Sequence, residues 1–215
     1  MSYEVLLQYL PAIFIILTIF TVGVASPGPA TLMILGTAMS RGRATAIALS
    51  LGVVTGSLFW GCLAAFGFVA AIKASASLFT AMKIAGGLYL FYLAFRSWRS
   101  ALTPGANLQL KTVTKVSLKR NYVRGLLLHI TNPKAPLVWL ATLSVGLDDA
   151  APLPFLVLTI LLCQLVAITI FVGYAFLFST PTASRIYLSF RRPFDAILGL
   201  LFGAAGLKIL SSRLN

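Results

Sequence analysis

Acidic residues are scarce in this sequence, which contains only four Asp or Glu and a single histidine among 215 residues. Catalysis by acids and bases, or by a bound metal ion, needs carboxylates or imidazoles brought together. No such constellation is visible, so we predict no enzymatic activity, no metal site and no cofactor. The two cysteines, Cys62 and Cys163, lie in separate apolar runs without a Cys-x-x-Cys pair, and we interpret them as small apolar side chains.

Charge of either sign is also rare, at 10% of the chain, whereas hydrophobic residues reach 59% and the mean hydropathy is +0.96. A soluble domain of this size has too small a core for several entirely apolar helices. We therefore predict an all-α membrane protein surrounded by lipid. The N-terminus lacks the basic segment of a signal peptide, since Glu4 is its only charge, and we take it as the first span.

Six apolar segments are long enough to cross the membrane as helices, which takes about 20 residues. These predicted spans cover residues 5–37, 46–71, 78–98, 123–146, 153–178 and 194–211. Twelve of the 17 basic residues lie in the connections between spans one and two, three and four, and five and six or at the span ends that border them, against four on the other side. The positive-inside rule then places these three loops in the cytoplasm and both termini outside. The net charge of +13 thus reflects topology, and we predict no nucleic-acid partner.

Prolines interrupt two of the six spans. The first interruption is Ser26-Pro27-Gly28-Pro29, and the second is Thr131-Asn132-Pro133-Lys134-Ala135-Pro136. Proline removes a backbone donor and breaks a helix, and freed backbone groups are tolerated in lipid only inside protein or beside a watery cavity. Matched interruptions in two halves of a chain are typical of a transporter binding site. Two structural kinks without a ligand are the alternative.

The polar segment 101–122 divides the chain into a first half, 1–100, and a second half, 123–215. Each half holds three spans with the broken one first, so two repeats of this kind have inverted topology. Two small-xxx-small faces, Gly52 with Gly56 and Gly199 with Gly203, allow close helix packing in lipid. Two roles are open for these faces, namely helix packing within the bundle and formation of a homodimer.

Several of these motifs together resemble the LysE/RhtB family of bacterial amino-acid exporters, over essentially the whole chain. The motifs are Ser26-Pro27-Gly28-Pro29, Gly52-Val53-Val54-Thr55-Gly56 with Trp60, Lys83-Ile84-Ala85-Gly86-Gly87-Leu88-Tyr89-Leu90, Thr131-Asn132-Pro133-Lys134-Ala135, and Arg192-Pro193-Phe194-Asp195 followed by Gly199. The resemblance implies a translocator in the bacterial inner membrane that exports amino acids or their derivatives against proton motive force. Two positions depart from the family: many relatives carry an acid near Ser57, and many carry asparagine at His129.

An amino acid presents a carboxylate and an ammonium, and the two breaks offer groups for both. Free N–H groups where helices start near Pro29 and Pro133 suit the carboxylate, with Asn132 as an N-cap. Carbonyls left by the helix that ends before Pro27 suit the ammonium. The predicted substrate-binding residues are Ser26, Pro27, Gly28, Pro29, Thr31, Thr55, Asn132, Pro133 and Lys134.

Lys134 lies deep in the fourth span, where a lysine needs a cavity or a partner. We consider two roles: its ammonium holds the substrate carboxylate, or it binds carbonyls freed by Pro27 and Pro29. Asp195 and His129 are the candidates for proton coupling, with Asp195 preferred. An exporter of another small solute or of a metal ion, and a structural membrane subunit, are the alternative functions.

Overall fold

The computed structural model describes residues 3–74, 76–102, 117–146 and 151–211, and the regular structure of these residues is entirely α-helical. Eight helices follow one another along the described chain. They are α1 (Tyr3–Ala25), α2 (Pro29–Arg41), α3 (Arg43–Ala74), α4 (Ala76–Leu102), α5 (Leu118–Ile130), α6 (Lys134–Gly146), α7 (Leu153–Leu177) and α8 (Pro181–Ser211). Most of the predicted linker, residues 103–116, lies outside the described residues.

Both predicted interruptions are present as helix breaks. Three residues, 26–28, separate α1 from α2, and three more, 131–133, separate α5 from α6. Proline alone does not produce a break, because Pro11 lies within α1 and Pro193 lies within α8. A break forms where two prolines flank a glycine, or where proline follows a capping asparagine.

The helix ends correct the sequence prediction at the last span. We placed a loop before residue 194, but α8 begins at Pro181 and continues through Arg185, Arg191 and Arg192. Basic residues lower the hydropathy of a segment without opposing helix formation, since arginine is a good helix former. Similarly, α5 begins at Leu118, inside the predicted linker.

Glycines allow a close helix crossing between α3 and α5. A Cβ atom on Gly52 would lie 2.0 Å from the carbonyl oxygen of Tyr122, and one on Gly125 would lie 2.1 Å from that of Leu49. The two backbones therefore touch, which only glycine permits.

The second glycine pair packs within the bundle as well. A Cβ on Gly199 would lie 2.2 Å from the Trp98 side chain, and one on Gly203 would lie 3.9 Å from Ala94, so this face of α8 contacts α4. Both small-xxx-small faces thus serve packing within the chain, and the homodimer stays a prediction.

The bundle carries apolar side chains on its outside as well as in its core. Phe20 and Trp139 meet at the centre with ring centroids 4.6 Å apart, while Phe14, Phe66 and Phe95 are largely exposed. Within the described part, three helices contain stretches long and apolar enough to cross a membrane: Gln8–Ala25, Arg43–Gly67 and Leu153–Leu177. An apolar exterior of this kind fits a lipid surrounding.

Candidate functional site

The first break satisfies the carbonyls that its prolines release. In a continuous helix, the carbonyls of Gly23 and Ala25 would accept from the N–H groups that Pro27 and Pro29 lack. Instead, the Ser26 hydroxyl donates to Gly23 O at 2.9 Å, and the Tyr174 hydroxyl donates to Ala25 O at 2.9 Å. These two carbonyls, which we predicted for a substrate ammonium, are therefore already used by side chains of the protein.

Helix α2 starts without a side-chain cap. Gly28 precedes it in an extended conformation, and Pro29 occupies its first turn. The first N–H groups of a helix have no partner within that helix, and Ala30 and Thr31, which carry them here, are buried. This helix start therefore offers backbone donors and a positive dipole end inside the protein.

Asn132 caps the second break, as the sequence predicted. Its Oδ1 accepts a hydrogen bond from the Lys134 N–H at 3.1 Å, and its carbonyl accepts from Ala135 N–H at 3.1 Å. The side chain is buried. Asn132 therefore lies in the polar turn and binds the first N–H group of α6.

Lys134 joins the two breaks. Its Nζ donates to the Ser26 carbonyl oxygen at 2.8 Å and also to the Ser26 hydroxyl. A Cβ on Gly28 would lie 3.2 Å from that same Nζ, so glycine leaves room for the lysine. The ammonium binds a backbone carbonyl of the first break, although that carbonyl is not one of the two that the prolines release.

A cavity of about 190 Å³ lies beside this junction. Its walls come from the first break, from α2, and from α4, α6 and α8. The lining residues are Ser26, Pro27, Gly28, Pro29, Leu32, Leu93, Arg96, Ser97, Lys134 and Asp195. The cavity therefore combines two cations and one carboxylate with apolar surface.

A second cavity of about 30 Å³ also borders Lys134, with space for about two water molecules. Gly28 and Lys134 border both cavities. The smaller one is also lined by Thr31, Asn132 and His129, among others.

His129 and Ser57 both line this smaller cavity. His129 is buried, and its Nδ1 has no hydrogen-bond partner among the described residues. Its carbonyl accepts from Trp60 Nε1 at 3.3 Å. Ser57 accepts from Trp139 Nε1 at 3.2 Å. Polar groups from α3, α5 and α6 are thus collected beside Lys134.

The structure brings together most of the predicted site residues, but not Thr55 and Pro133. Thr55 is exposed, donates to Leu51 O at 3.0 Å and accepts from the Tyr122 hydroxyl at 2.9 Å, so it links α3 to α5. Pro133 is also exposed and lines neither of the two cavities.

Sequence reasoning missed the contribution of α4. Arg96 and Ser97 line the larger cavity, whereas the sequence predicts Arg96 to be one of the twelve cytoplasmic charges, at the end of its span. Arg96 follows Leu93 by three residues, so the two side chains lie on the same face of α4. This spacing was the sequence signal that could have placed Arg96 beside the apolar interior. Among the described residues, no three of His, Cys, Asp and Glu are grouped in a way that could hold a metal ion.

The amino-acid sequence is similar to that of known membrane proteins. The model of the LysE type translocator family matches residues 21–213. The chain is 26% identical to the uncharacterized membrane protein YahN of Escherichia coli, over 96% of this chain and 92% of that one. It is 29% identical to the threonine efflux protein of Escherichia coli (89% and 94%) and 32% identical to the leucine efflux protein of Salmonella choleraesuis (66% and 62%). No solved structure matches the chain.

Proposed function

The chain belongs to the LysE type translocator family, and on that premise we propose that it exports amino acids or their derivatives across the bacterial inner membrane. The observation that carries this proposal is the junction of Lys134 with Ser26, at two facing helix breaks beside a cavity that also holds Arg96 and Asp195. Cations and a carboxylate in one cavity complement the two charges of an amino acid. Relatives named for threonine and leucine efflux support the same function.

Substrate recognition follows from these charges. The start of α2 and the cations Arg96 and Lys134 attract a carboxylate, while Asp195 attracts an ammonium. Leu32 and Leu93 provide an apolar wall for the substrate side chain. The volume of about 190 Å³ suits a small solute.

The proposed architecture has six spans in two inverted repeats, 1–100 and 123–215, with 101–122 as a cytoplasmic linker and both termini outside. In this scheme α1 with α2 corresponds to α5 with α6, α3 to α7, and α4 to α8. The matched helix breaks at residues 26–28 and 131–133 support the scheme.

Proton coupling is part of the proposal, with Asp195 and His129 as the candidate groups. Asp195 is fully buried and lines the larger cavity, while His129 is buried and lines the smaller one. Ionisable groups within a membrane protein are functional candidates by default.

The test is transport by the purified chain in sealed vesicles. Vesicles loaded with L-threonine or L-leucine should accumulate the same radiolabelled amino acid by exchange, and a proton gradient should drive net movement. Vesicles loaded with Mn²⁺ or Zn²⁺ test the metal-ion alternative in parallel. Exchange of the metal ions without exchange of any amino acid in a panel of twenty would overturn the proposal.

A further inference from the structure

The larger cavity is lined by one carboxylate among the described residues. Asp195, on α8, is fully buried, and it is the only acid among the described residues that line this cavity. Arg96 approaches from α4 and Lys134 from α6, whereas the lining residues of the first break and α2 have no titratable side chain. A substrate ammonium in this cavity therefore has a single anionic partner.

The two cations are not equivalent. The Lys134 ammonium is held by Ser26, so its donors are directed to the first break. Arg96 belongs to an exposed part of α4, and its guanidinium lies 5.9 Å from the ring centroid of Tyr92. A guanidinium binds a carboxylate with two parallel hydrogen bonds. Arg96 is therefore the group for the substrate carboxylate, and Asp195 faces the substrate ammonium in the same cavity.

From this arrangement we infer that a proton and the substrate ammonium compete for Asp195, which deepens the proposed function of amino-acid export and rests on it. The ionised carboxylate binds the ammonium, and the protonated carboxyl group does not attract it. When the amino acid leaves, the carboxylate takes up one proton, and when the next amino acid binds, that proton returns to water. Competition for one group makes the two ligands mutually exclusive.

Because the proton and the amino acid cannot bind Asp195 at the same time, export of the amino acid is coupled to entry of the proton. One zwitterion moves outward for each proton that moves inward, so each cycle carries one positive charge into the cell. The low dielectric of a buried site strengthens the competition, because the attraction between carboxylate and ammonium is much larger there than in water.

The primary experiment measures proton release from the wild-type chain, purified in detergent in a weakly buffered solution between pH 5 and 8. Adding L-leucine should release one proton per molecule bound at a pH where Asp195 is protonated. The apparent Kd should rise about tenfold per unit of falling pH in that range and be constant at higher pH. The probe 4-methylpentanoate, which is leucine without its ammonium, should release no proton.

Two variants assign the effect to a residue. Asp195→Asn should bind L-leucine weakly, with no pH dependence and no proton release, and should bind 4-methylpentanoate as well as it binds L-leucine. Glu4→Gln, which removes an acid from the first turn of α1, should behave as the wild type. A pH dependence that persists in Asp195→Asn would overturn the inference and point to His129.

The wild-type measurement decides the question even if Asp195→Asn does not fold. Binding of L-leucine without proton release at every pH from 5 to 8 would overturn the competition and leave amino-acid export standing. Failure of the wild type to bind or exchange either L-leucine or L-threonine would instead overturn export, and the inference with it.

Discussion

The Nζ of Lys134 lies 2.8 Å from the carbonyl oxygen of Ser26, although 108 residues separate the two positions in the sequence. This hydrogen bond crosses from the second helix break to the first. It resembles the structural alternative for Lys134, because the ammonium binds a backbone carbonyl of the first break, and the lysine also lines the larger cavity. A net hydrogen bond to a charged group contributes about 1.5–3 kcal/mol, so Lys134 can stabilise the fold and shape the site at once.

We expect Lys134→Met to lower both stability and export. The substitution leaves the Ser26 carbonyl without its charged donor, which should lower the free energy of unfolding by about 1–3 kcal/mol. The measurement is the melting temperature of the purified protein, followed by exchange of L-leucine in vesicles. The matched control is Lys119→Met, since Lys119 is an exposed lysine of α5. A Lys134→Met protein with unchanged melting temperature and unchanged exchange would contradict both roles.

Gly52→Ala should destabilise the bundle strongly. The added methyl group would lie 2.0 Å from the Tyr122 carbonyl oxygen, so α3 and α5 must move apart, at about 1–3 kcal/mol or more. Gly67→Ala, on the same helix, is the control, because no atom of the described residues lies within 4 Å of its added Cβ. The ratio of folded monomer to aggregate on size-exclusion chromatography measures the effect. Equal yields from the two variants would show that α3 and α5 are not in contact as described.

We expect the larger cavity to discriminate against basic amino acids. Arg96 and Lys134 repel a cationic side chain, and no second carboxylate among the described lining residues is left to pair with it once Asp195 binds the α-ammonium. L-lysine should therefore bind at least about tenfold more weakly than L-leucine, a difference of about 1.4 kcal/mol. Equilibrium dialysis with both radiolabelled amino acids measures the ratio.

In the same dialysis experiment, Arg96→Gln should reduce the preference for L-leucine over L-lysine, because one of the two repelling cations is removed. It should also weaken the binding of L-leucine, because the substrate carboxylate loses its guanidinium partner. Arg99→Gln is the control, as Arg99 is an exposed arginine of the same helix that does not line the cavity. Equal loss of leucine binding in both variants would argue for a general effect of charge on α4.

Topology can be tested with single cysteines in a protein whose Cys62 and Cys163 have been replaced. A membrane-impermeant maleimide added to intact cells should label Ser211→Cys and should not label Asn107→Cys. We expect this pattern because the excess of basic residues between the predicted spans three and four should keep that loop in the cytoplasm. The opposite labelling pattern would reverse the proposed orientation.

Local chemistry determined where the helices break. Pro27 and Pro29 have no N–H, and Asn132 carries a short acceptor that caps the next turn, so these residues impose the interruptions wherever the segment lies. Apolar composition likewise determined an α-helical membrane protein. These features act within a few residues of the chain, and for that reason the sequence alone predicted them correctly.

Only the tertiary structure decided which groups meet. Thr55 is part of a motif that suggested a binding role, yet its face of α3 packs against Tyr122 on α5. Arg96 resembled a loop charge, yet the packing of α4 on α8 brings it to one cavity with Asp195. Distances between segments depend on helix packing over the whole bundle, and hydropathy and motif spacing carry no information about which face of a helix meets which neighbour.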